Sequence, residues 1–189
     1  YRTNAQSRVI EEALRRRNVP YKIYAGHSFY DRAEVKDFLA YLRLISNPKD
    51  DEAFKRIINF PARGIGDTTI GRLKELADKM NLSFVDTIKQ GNLAETGIKE
   101  ATIQKIKQFV ASIEQTREHM HITDAYALAL EVDNKFGILN TMKLDTSIEG
   151  QGRVENVEEL FNSIKEFVED GEAEYAKMAD DETDVLIVT

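Results

Sequence analysis

Pro61-Ala62-Arg63-Gly64-Ile65-Gly66-Asp67-Thr68-Thr69 lies between a short apolar run and a strongly amphipathic segment, and its reading decides the fold. Two glycines flanking one isoleucine let the backbone turn sharply and bring bare amide N–H groups close to a ligand, while Ile65 anchors the turn in a core. Asp67, Thr68 and Thr69 then open a helix, where Asp or Thr caps the end and free N–H groups favour an anion. The same residues also suit a tight helix-to-helix turn that holds no ligand.

Working outward, Asp50-Asp51-Glu52 caps a short helix with Phe54, Ile57 and Ile58 that leads into the turn, and Ile70, Leu73, Leu76 and Ala77 mark the helix after it. Two helices therefore bracket the glycines, as a helix-hairpin-helix DNA-binding element requires. Upstream, Val35, Phe38, Leu39, Leu42 and Ile45 recur at helical spacing over about Arg32 to Ser46, and Lys36 and Arg43 share another face of that helix. Downstream, helices are expected over Ser83–Gln90, Lys99–His119, Asp124–Val132, near Asn134–Met142 and over Gly152–Glu169, with loops at Gly91–Gly97 and Thr146–Gly152. No internal repeat stands out.

The two ends read differently. A helix from about Ala5 to Arg17, capped by Thr3 or Asn4, precedes Pro20 and a short alternating strand at Tyr21-Lys22-Ile23-Tyr24. Arg15-Arg16-Arg17 suits the negative end of that helix. Glu169 to Asp184 is acidic and poor in large apolar residues, which predicts a mobile connection, and Val185-Leu186-Ile187-Val188-Thr189 reads as a strand buried on both faces. The expected fold class is mainly α, with a small β-α-β remnant where both termini meet. Ends placed inside strands imply a piece of something larger. The expected division is 1–27 as a strand-helix-strand edge, 28–175 as a helical domain, and 176–189 as an acidic linker with a returning strand.

The 189 residues can bury a substantial core, and 42% hydrophobic with 31% charged residues describes an ordinary globular chain. No apolar run approaches a membrane span, so no membrane partner is expected. The lack of cysteine removes disulfides, thiolate catalysis and cysteine-bound zinc, and a cytoplasmic setting is the expectation. Net charge is −7, but residues 1–66 carry 13 Lys and Arg against 8 Asp and Glu, whereas residues 67–189 carry 13 against 25. A polyanion would thus meet one face, although chance surface composition gives the same asymmetry.

No Gly-x-x-x-x-Gly-Lys-Ser/Thr phosphate loop occurs, so a nucleoside triphosphate has no cradle. Asp180-Asp181-Glu182-Thr183 has the look of an acidic metal box, but it precedes the apolar run instead of following it. His119-Met120-His121 lies at a helix end with no third ligand nearby, where dipole stabilisation accounts for it. No nucleophile elbow or spaced acid/base pair is present, and no catalytic centre is expected.

Several segments together resemble the UvrD/PcrA/Rep type of ATP-dependent DNA helicase. They are Tyr1-Arg2-Thr3-Asn4-Ala5-Gln6-Ser7-Arg8, Pro20-Tyr21 with Gly26 and Phe29, Glu34 to Leu44, Asn47-Pro48-Lys49-Asp50-Asp51, Ile58 to Gly66, and Gln151 to Leu160. The matches are densest in residues 1–80, and about 81–145 follows only as a helical pattern.

The resemblance implies a 2B subdomain with the flanking edges of 2A, cut from a parent that uses ATP and Mg through chemistry held elsewhere. This fragment would carry no cofactor. Arg2 and Asn4 resemble positions that hold a single-stranded tail. Lys36 and Arg43 match basic positions facing the duplex, and Gly64, Ile65, Gly66 and Thr69 match a hairpin gripping duplex phosphates, with Arg63 and Thr68 alongside. Asn156 matches a further motif and is expected to hold 2B to 2A. The implied partners are DNA at a junction of single strand and duplex, the remaining helicase subdomains, and a regulatory protein that the acidic region could dock in place of DNA.

Overall fold

The computed structural model describes residues 29–186 together with 13, 14, 16, 17 and 19, and side chains as far as Gly171. From residue 29 on, eight α-helices follow in order among the described residues: α1 (Ala33–Ser46), α2 (Asp51–Ile57), α3 (Asp67–Met80), α4 (Phe84–Gln90), α5 (Glu100–His119), α6 (Ala125–Phe136), α7 (Ile138–Met142) and α8 (Ile148–Leu186). Single 3-10 turns stand at Phe29–Asp31 and Leu93–Thr96. No strand occurs among the described residues.

Helix α1 is the post of the domain, because its apolar residues run round most of its circumference. Val35, Phe38, Tyr41, Leu44 and Ile45 are fully buried, and α2, α5, α6 and α8 all pack on it. Aromatic rings join these layers: Phe38 meets Phe161 of α8 edge-on at 4.8 Å, and Phe54 of α2 stacks on Phe84 of α4 at 5.0 Å. Helix α3 packs on α4 and on the 3-10 turn at Leu93–Thr96.

Local chemistry sets the ends. Asp50 Oδ1, Ser83 Oγ and Asp124 Oδ1 accept from the amides of Ala53, Asp86 and Ala127, capping α2, α4 and α6; each such cap stabilises by about 1 kcal/mol. Helix α8 starts earlier than the glycines suggest. Ser147 Oγ accepts from Gly150 N at 3.0 Å, and a Cβ at Gly150 would lie 2.2 Å from the Asp145 carbonyl oxygen. The glycine thus permits a close turn, and the expected loop over Thr146–Gly152 is helical from Ile148.

The second correction lies at the other end of α8, which continues through Leu186. The expected mobile connection over Glu169–Asp184 is therefore helix, and Val185 and Leu186 begin no strand. Acidity misled because Glu, Ala, Lys and Met are good helix formers, and a single interior glycine such as Gly171 costs only about 1 kcal/mol. The strands expected at Tyr1 and Tyr21–Tyr24, and Ile187–Thr189, lie outside the described residues.

Candidate nucleic-acid interface

The turn between α2 and α3 is built on Asn59. Its Oδ1 accepts from Arg63 N at 2.9 Å and from Ile65 N at 3.0 Å, closing the loop on itself. Gly64 sits at φ +74, a left-handed conformation that side chains rarely adopt. Ile65, 1% exposed, inserts into the core and fixes the turn's depth.

Gly66 is the N-cap of α3, at φ −94 and ψ 174, and it supplies no side-chain cap. Its carbonyl accepts from Thr69 N at 2.9 Å and Ile70 N at 3.2 Å. Among the described residues, nothing accepts from the amides of Gly64, Gly66, Asp67 or Thr68, nor do the Thr68 and Thr69 hydroxyls bond within the protein. Exposed donors at the positive end of a 14-residue helix are the kind of group that can attract an anion. The Asp67 carboxylate in the first turn opposes that field on one side.

Arg63 does a different job from the phosphate contact expected of it. Its guanidinium turns inward and donates to the carbonyls of Ile57, Ile58, Phe60 and Pro61 at 2.9 to 3.2 Å. It also donates to the Tyr41 hydroxyl at 2.7 Å and lies 4.7 Å from the Phe109 ring centroid. Tyr41 in turn donates to the Phe60 carbonyl. A guanidinium so committed is a post for the turn, because among the described residues the Ile58 and Pro61 carbonyls have no other donor.

A cation at the hairpin comes instead from α5. Lys105 Nζ donates to the Arg63 carbonyl at 3.2 Å and stands 3.7 Å from where a Cβ on Gly64 would be. Sequence reasoning missed it because 42 residues separate the two; its lone signal was an exposed lysine opposite the apolar stripe Ile103, Ile106, Val110 and Ile113.

The two α1 cations do not join this cluster. Lys36 pairs with Asp31 at 2.9 Å, and Arg43 pairs with Asp50 at 2.7 Å. Asp50 lies at the N-terminus of α2 and the hairpin follows its C-terminus, so about 10 Å of helix separates Arg43 from the turn. The Ala53 amide, with Arg43 adding to it, holds the Asp50 carboxyl below the usual range. Arg2 and Asn4 lie outside the described residues. Asn156 sits between α8 and the start of α1: its Nδ2 donates to Glu34 Oε1 at 2.5 Å and its Oδ1 accepts from Arg32. His119, at the end of α5, has Nδ1 3.0 Å from Glu131 Oε2.

Residues 1–181 match the model of the UvrD-like helicase C-terminal domain. The chain is 40% identical over 173 residues to the ATP-dependent DNA helicase PcrA of Bacillus subtilis, covering 91% of the chain and 23% of that protein. It is 37% identical over 189 residues to PcrA of Leuconostoc citreum, covering 100% of the chain and 25% of the relative. PcrA of Staphylococcus aureus is 32% identical over 188 residues, 100% of the chain and 26% of the relative. The chain thus spans about a quarter of the length of the curated relatives it matches.

Proposed function

Because the chain belongs to the UvrD-like helicase C-terminal domain family, we propose that it is the accessory 2B subdomain of a 3′-to-5′ ATP-dependent DNA helicase and holds duplex DNA by its phosphates. The observation that carries this reading is the group of unpartnered amides at Gly64, Gly66, Asp67 and Thr68, with the Lys105 ammonium beside them. Amides, hydroxyls and a lysine position a phosphodiester backbone without reading bases, so binding is independent of sequence and weakens with salt.

In this account the turn acts as a helix-hairpin-helix, with Ile65 and Arg63 giving it shape and Gly64, Gly66, Thr68 and Thr69 meeting phosphate. Lys36 and Arg43 supply a second contact further along the duplex once released from their acids. Arg2 and Asn4 steady the single-stranded tail, and residues near the two chain ends form the edges of 2A. The parent hydrolyses ATP with Mg in its motor subdomains, and the fragment alone has no such activity. The setting is cytoplasmic; no helix among the described residues is long and apolar enough to cross a membrane.

Titrating labelled duplex with the 189-residue chain at low and moderate salt tests the reading. Binding that is indifferent to sequence and falls steeply with salt is the expected result. No binding at low salt, together with capture of a protein partner by the acidic region, would favour a regulatory docking module instead.

A further inference from the structure

Beside the hairpin, α5 and α6 enclose an open cleft of about 580 Å³ whose walls include Arg63, Gly64, Lys105, Gln108, Ser112 and Lys135. Lys105, Gln108 and Ser112 are spaced by three and four residues, so they share one face of α5 and span about 10 Å along it. Lys135 reaches in from α6, where its ammonium donates to Thr116 Oγ1 at 3.0 Å and lies 3.8 Å from Glu131 Oε1.

Three features make this cleft more than a surface groove. It shares Arg63, Gly64 and Lys105 with the hairpin, so the two surfaces are continuous. It is lined by cations and no carboxylate, in a region of the chain where acids outnumber bases 25 to 13. The nearest facing acid, Glu131, is engaged by His119 at 3.0 Å as well as by Lys135. Among the described residues, Gln108 and Ser112 make no side-chain hydrogen bond, so both are available to a ligand.

We infer that this cleft is a second phosphate-binding stretch, in which Lys105, Gln108, Ser112 and Lys135 take the phosphates next to those held by the hairpin on the same DNA strand. The inference rests on the duplex-binding reading above and extends its track from the turn along α5. The ligand is a nucleic-acid backbone, since a cleft with cations at both ends and neutral donors between them matches a row of phosphates better than a single anion.

The test is fluorescence anisotropy of the 189-residue chain with a duplex of two helical turns, about 20 base pairs, over a salt series. Lys135→Gln should lower the slope of log affinity against log salt by about 0.9. Ser112→Asp, which places a carboxylate in the cleft, should weaken binding about tenfold at low salt through like-charge repulsion. Thr69→Ala reports on the hairpin alone. If Thr69→Ala weakens binding while both cleft variants keep the parental affinity and slope, the cleft inference falls and the hairpin reading stands. If the unsubstituted chain fails to bind duplex at low salt, both fall. Should Ser112→Asp melt early, the Lys135→Gln slope decides.

Discussion

Arg63 Nη2 donates to the Tyr41 hydroxyl at 2.7 Å, fastening the hairpin to the middle of α1. The same guanidinium's Nη1 lies within hydrogen-bond reach of four turn carbonyls, two of which, those of Ile58 and Pro61, have no other donor among the described residues, so its planar fork matters more than its charge. Arg63→Lys keeps the cation but loses the fork, and the expected loss is on the order of 2–4 kcal/mol of stability in urea unfolding. A residue that merely touched phosphate would tolerate that exchange; unchanged stability would sink the post role.

Burial pushes the Tyr41 hydroxyl up to about 12, against the opposing pull of Arg63. A folded value above the unfolded one of about 10 means the contribution is complete below pH 10 and is lost as pH rises from 10 to 12. The chain should lose on the order of 2–3 kcal/mol across that window from this group. Tyr41→Phe should flatten this alkaline limb in melts taken at pH 9 to 12, while lowering stability at neutral pH.

The two hairpin glycines separate folding from binding. Gly64→Ala meets nothing closer than Lys105 Nζ at 3.7 Å, but its φ of +74 costs roughly 1–2 kcal/mol for a side chain. Gly66→Ala has open space and φ −94, so the fold should lose only the weaker N-cap preference of alanine, about 0.5–1 kcal/mol. A methyl there would still keep phosphate from the amides. A small drop in melting temperature with a larger loss of duplex binding is the expected pairing for Gly66→Ala, read by thermal denaturation and anisotropy.

Asp50 both caps α2 and neutralises Arg43. Asparagine caps as well as aspartate, so Asp50→Asn isolates the charge. With its carboxyl held low, the ionised Asp50 adds stability above about pH 4, and this is lost as pH falls through the lower folded value. The variant should lose that acid-side dependence and bind duplex a few-fold more tightly, with a salt slope steeper by about 0.9. An unchanged slope would remove Arg43 from the DNA face.

Asn156 ties α8 to α1 through Glu34 and Arg32. Glu34 is 8% exposed, so Asn156→Ala leaves a buried carboxylate oxygen without its donor. A loss of roughly 1–3 kcal/mol is expected in chemical denaturation, with duplex binding by the remaining folded protein unchanged.

Much of the helical order was legible because apolar residues recur at a period of 3.6 and caps are local. Asp50, Ser83 and Asp124 mark helix starts that the structure keeps within a residue or two of expectation. The boundaries of α8 were not legible. Gly150 and Gly152 read as breakers, yet the first makes room for Asp145, a close approach that only coordinates reveal. The acidic stretch after Glu169 resembled a connection because charge says little about helix propensity.

The sequence by itself determined the turn: Gly64 for its left-handed backbone, Ile65 for its anchor and the helix start that leaves amides bare are all consequences of neighbouring residues. The tertiary structure decided which side chains surround it. Arg63 turned inward because four carbonyls and the Phe109 ring were there to receive it, and Lys105 arrived from 42 residues away to stand at Gly64. Local backbone preference is written residue by residue, whereas the direction of a long cationic side chain depends on acceptors that only the packed chain brings within reach.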